Sequence, residues 1–134
     1  MTRTLKEFVT LRNKIKATEE EIVFWRARCT APTSSTTEPR YNPNFNTESV
    51  QNLYVEKAME LEEELVREKA EYERLYDKIL STIMKLEDKD YKKFLVFKYI
   101  DEMPWKEIVE RMYYSERHLF KFQRKAEAAL EALL

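Results

Sequence analysis

No glycine occurs anywhere in the 134 residues of this chain. Tight turns with positive φ, glycine C-caps and close approaches of backbone to ligand must therefore be built from other residues or avoided. The Walker loop, the dinucleotide-binding fingerprint and the nucleophile elbow each place backbone where a Cβ would collide, so three large enzyme classes lose their motif support. With 43% hydrophobic and 37% charged residues, the natural reading is an all-α protein.

Spacing of apolar residues supports that class. Over residues 3–29, Phe8, Ile15, Ile22 and Cys29 share one heptad position and Leu11, Thr18 and Trp25 another, which predicts a helix with a seam. Residues 30–47, TAPTSSTTEPRYNPNFNT, hold three of the four prolines and predict an irregular loop. From Glu48 to about Leu86 a second helix is expected. Ala58, Leu65, Tyr72, Ile79 and Leu86 mark one position, and Leu61, Glu68, Leu75 and Thr82 the other. At about 1.5 Å per residue it reaches roughly 58 Å, and such a stripe needs a partner: the first helix, a second copy, or both. Homo-oligomerisation through this coiled coil is expected, and the loop length permits either helix direction. Thr18, Glu68 and Thr82 in the seam would fix its register.

Shorter helices follow. Asp88 or Asp90 caps a segment whose apolar face is Tyr91, Phe94, Leu95 and Tyr99; Pro104 suits the first turn of a helix running to Met112, with Trp105, Ile108 and Met112 on one face. Ser115 then caps a last helix. On a 100° wheel that helix puts Leu119, Phe122, Ala126, Ala129, Leu130 and Leu133 inward, and Arg117, Lys121 and Arg124 near the opposite side, flanked by Lys125 and Phe120. Tyr99, Trp105, Ile108, Met112, Leu119 and Phe122 are the expected core of a helix-turn-helix at residues 88–134, preceded by a coiled-coil hairpin at 1–87.

Charge is uneven. Residues 1–29 carry seven basic against four acidic side chains, 48–87 six against eleven, and 113–126 four against one, while the whole chain is −1. A nucleic-acid partner must therefore be argued from a local patch. The candidate patch is Ser115, Arg117, His118, Lys121, Arg124 and Lys125. A capped helix N-terminus binds phosphate, Arg117 and Lys121 suit base edges, and Arg124 and Lys125 suit phosphates further along. A basic face opposite an apolar stripe is also simply what a solvated helix looks like.

One cysteine and one histidine supply neither an intramolecular disulfide nor a zinc-ligand set. No catalytic set, metal or cofactor is expected. His118 has no matching acid and nucleophile, and Glu62, Glu63 and Glu64 read as the wet side of a rod. The charged start argues against a signal peptide, and no apolar run approaches the roughly 20 residues of a membrane helix, so a cytoplasmic location in a bacterial host cell is expected.

The stretch KYIDEMPWKEIVERMYYSERHLFKFQRKAEAAL resembles region 4 of sigma factors. It is more similar still to small phage and prophage proteins of Gram-positive hosts related to the RinA and ArpU late-transcription regulators. The matching positions are Lys98, Tyr99 and Ile100; then Pro104, Trp105, Lys106, Glu107 and Ile108; then Tyr114, Ser115, Glu116, Arg117 and His118. Two positions depart from the pattern: Tyr113 stands where a small residue or glycine is common, and Pro104 where a serine cap is usual. The resemblance implies a sigma-region-4-like helix-turn-helix that binds double-stranded DNA in late-gene or packaging-related regulation, with host RNA polymerase as an alternative partner. A small terminase-like packaging subunit is a further alternative, although such proteins usually carry the DNA-binding module at the N-terminus.

Overall fold

A computed structural model of the protein describes residues 3–30 and 47–134, and among them the fold is all-α with no strand. The elements are α1 (Arg3–Thr30), α2 (Thr47–Met84), α3 (Lys89–Leu95), a π-helical turn (Val96–Ile100), α4 (Trp105–Met112) and α5 (Glu116–Leu133). Apart from its ends, Thr30 and Thr47, the irregular connection expected at 30–47 lies outside the described residues. No described helix is long and apolar enough to cross a membrane.

The chain divides into two compact units. One joins the start of α1, through Arg12, to Glu71–Leu134; the other is Asn13–Ala70. The first unit therefore holds more than residues 88–134, because Leu5, Phe8, Ile79, Ile83 and Leu86 share one apolar cluster with Phe94, Leu95, Tyr99, Ile108, Leu119, Ala126 and Leu130. A trihelical segment of this size buries little surface alone, and the ends of the two long helices enlarge its core.

In each unit α1 runs antiparallel to α2. The Phe8 ring meets Tyr72 edge-on at 5.0 Å and Tyr76 at 6.3 Å in the first. In the second, Thr18 donates to Glu68 at 3.0 Å and Arg26 reaches Glu62 at 2.8 Å. The heptad seam is used within the chain: Ala58, Leu61, Glu68, Leu75, Ile79, Thr82 and Leu86 are buried, and Leu65 and Tyr72 half-buried. Thr18 and Glu68 satisfy one another, which is what a buried polar pair requires.

Arg12 is the residue the seam did not announce. Only 8% exposed, it lies one position past Leu11. Its guanidinium donates to the Tyr72 hydroxyl at 3.0 Å and to the Tyr99 carbonyl, lies over the Phe8 ring at 4.6 Å, and stands 3.5 Å from the Glu102 carboxylate. One side chain thus joins α1, α2 and the end of the π-helical turn.

That turn interrupts what the apolar pattern presents as a single helix. Asp88 caps α3 by accepting from the N–H groups of Asp90 and Tyr91, and the helix widens at Val96, with the Asp101 N–H donating to the Val96 carbonyl at 2.8 Å. A residue inserted in this way rotates everything that follows it. Tyr99 is nonetheless buried, and its hydroxyl donates to Glu127 of α5, which also accepts from Gln123 at 2.9 Å. Burial, reinforced by the bond to Glu127, pushes the Tyr99 hydroxyl well above its ordinary pKa, so it remains a donor. Glu127, 4% exposed, is a buried acid on the inner side of α5.

Candidate nucleic-acid interface

Two helices and a three-residue connection build the candidate site. Pro104 is the N-cap of α4, one position before the first turn expected for it; its φ of −59° suits a helix entry, and its carbonyl accepts from Glu107 and Ile108. Ile108 is buried, whereas Trp105 and Met112 are only half-buried against the core. Trp105 has its ring 4.7 Å from that of Phe120 and edge-on to Phe94 at 6.3 Å, with Lys98 Nζ 5.5 Å from it. Burial pulls the Lys98 pKa down and the charge of Glu127 opposes that shift.

Helix α4 ends at Tyr113, which takes the left-handed conformation with φ 59° and ψ 31°. A glycine would ordinarily occupy this C′ position, and in a chain without glycine a tyrosine bears the steric cost. Its side chain is 93% exposed, so no packing offsets that cost. Tyr113→Asn is therefore expected to stabilise the fold by about 0.5–1 kcal/mol, because asparagine tolerates the left-handed region without glycine's extra unfolded-state entropy. A rise in the urea midpoint at constant slope checks this; a fall would mean that the tyrosine ring contributes more than its exposure implies.

Ser115 starts α5, and its Oγ accepts from the His118 N–H at 3.1 Å. Removing this cap in Ser115→Ala should cost about 1 kcal/mol, readable by the same denaturation. The His118 ring is exposed and stacks on Tyr114 with centroids 4.5 Å apart. Leu119, Ala126 and Leu130 are buried, and Phe122 and Ala129 half-buried. Leu133 departs from the wheel: it is 52% exposed, and Leu134, four residues after Leu130, continues the inner stripe instead.

Arg117, Lys121, Arg124 and Lys125 are all exposed, and their spacing of four, three and one residues keeps them on one side of α5. None forms an ion pair with a described residue. Other cations do find acids: Arg111 pairs with Glu107, Arg74 with Glu71 and Arg26 with Glu62. The exposed stripe can therefore meet an anion without first breaking a protein contact. Phe120, 59% exposed and held against Trp105, adds an apolar edge beside Lys121. The wheel located the basic groups; the stacking of Phe120 depends on α4 and has no signal within α5 alone.

Among the described residues no group of three or more histidine, cysteine, aspartate or glutamate side chains is arranged to hold a metal. No curated protein and no solved structure matches the chain. The model of a family described as a protein of unknown function, DUF1492, matches residues 45–131, and the chain belongs to that family.

Proposed function

We propose that this protein is a phage-type transcription regulator, related to the RinA and ArpU proteins, that binds duplex DNA through α4, the Tyr113–Ser115 connection and α5 acting as a sigma-region-4-like helix-turn-helix. The observation that carries this reading is the stripe of four exposed cations on a serine-capped helix, none of them neutralised by a described carboxylate. Helix α5 lies in the major groove. The N-terminus of α5 holds a phosphate, Arg117 and Lys121 meet base edges, and Arg124 and Lys125 follow the backbone. Phe120 presents its ring to thymine methyl groups.

Four such contacts give a slope of log K against log salt of roughly −3 to −4, so affinity for duplex DNA should fall by about two orders of magnitude between about 50 and 200 mM salt. A flat salt dependence would sink the reading. The second reading, docking on host RNA polymerase without DNA specificity, draws support from the acidity of residues 48–87, which repels DNA. Retention of purified polymerase by the immobilised protein, with no salt-dependent DNA binding, would favour it.

A further inference from the structure

Within the second unit the seam positions of α1 and α2 face each other, so a second copy cannot use them. Around a heptad wheel each b position lies just outside an e position. The e residues of the two antiparallel helices share one flank, where Arg26 pairs with Glu62 at 2.8 Å and Lys69 with Glu19 at 3.4 Å. The adjoining b positions are Val23 on α1 and Met59 and Val66 on α2, which are 68%, 51% and 69% exposed. The two ion pairs bracket the level that Val23 and Val66 share. Three large apolar side chains thus sit uncovered, among the described residues, between charges of both signs. In the first unit the corresponding e residues Leu5 and Ile83 are wholly buried in the cluster with the C-terminal helices.

We propose that this flank is where a second copy of the chain docks, with α1 of each chain lying on α2 of the other. Charge selects the occupant and its direction. Residues 13–29 carry four basic and three acidic side chains, and residues 48–70 three basic and seven acidic. A two-fold axis along the hairpin sets Arg26 against Glu62 of the second copy and Glu19 against its Lys69, and it lays Val23 on Val66. Turning the second copy end for end would instead lay α2 on α2, seven acids against seven. A two-fold contact uses the same patch twice, as a homodimer requires. The inference does not rest on the DNA-binding reading, and its test contains no DNA.

The full-length protein should sediment at twice its chain mass. Val23→Glu combined with Val66→Glu should sediment as a monomer with unchanged helical circular dichroism, while Phe24→Glu, on the opposite flank, should remain a dimer. In a Cys29→Ser background, an equal mixture of Val23→Cys and Val66→Cys chains should form interchain disulfides, whereas Val23→Cys alone should not. A monomeric wild type, an undiminished dimer in the double glutamate variant, or equally efficient cross-linking of Val23→Cys alone would overturn the proposal. The cross-linking leaves the apolar flank nearly intact, so it decides the matter even if the glutamate variant fails to fold.

Discussion

Replacing Arg12 by alanine is expected to destabilise the protein by about 3 kcal/mol, a large part of the roughly 5–15 kcal/mol that usually holds a domain together. The guanidinium is 8% exposed and serves the Tyr72 hydroxyl, the Tyr99 carbonyl and the Glu102 carboxylate. Alanine leaves the buried carbonyl without that donor and removes the alkyl stem and cation from the face of Phe8. Glu102 contributes less than a buried partner would, because it is about half exposed and water can replace the cation there. Lysine should recover only a minor part of the loss, since one ammonium on a flexible stem cannot reproduce the planar fork. Urea unfolding measures both variants. A loss below about 1 kcal/mol for alanine would mean that water satisfies these acceptors and that Arg12 does not tie α1 to the C-terminal helices.

The second large effect concerns binding. Arg117→Ala should lower affinity for a cognate site by about 1–3 kcal/mol, or about 5- to 150-fold, and relax preference at one base pair. Lys125→Ala should weaken cognate and scrambled duplexes alike and reduce the salt slope by about one. Both side chains are exposed and neither has a described acidic partner, so their removal should leave stability nearly unchanged and the loss would report on DNA alone. Equal losses on both duplexes for both variants would contradict the assigned roles.

Much of this architecture is legible in the sequence because periodicity reports burial directly. Phe8, Ile15, Ala58, Leu61, Leu75 and Ile79 keep their heptad places, and all are buried. The two caps, Asp88 and Ser115, are equally visible, since a short acceptor before an apolar pattern has few other uses. What periodicity misses is polar burial. Arg12 and Glu127 are charged residues that a wheel assigns to solvent, and only the chain partners that meet them, Tyr72 and Tyr99, take them inside. The π-helical turn at Val96–Ile100 has no local signature either: its extra residue sits among the apolar groups of VFKYI and is accommodated by tertiary packing. Leu133 shows the converse, an apolar residue left outside because the stripe passes to Leu134 in the last turn. At the candidate interface, the exposure of Arg117, Lys121, Arg124 and Lys125 follows from their spacing, whereas Tyr113 at positive φ follows from the absence of glycine combined with the need to end α4 there.

The most direct test of the DNA-binding account is affinity for the duplex DNA flanking the protein's own gene against scrambled duplex, measured from about 50 to 200 mM salt for the wild type and for the Arg117→Ala, Lys121→Ala double variant. The account predicts tighter binding to the flanking DNA, a steep salt dependence, and loss of the sequence preference in the double variant. Binding no tighter than to scrambled duplex, and unchanged by the two substitutions, would contradict it.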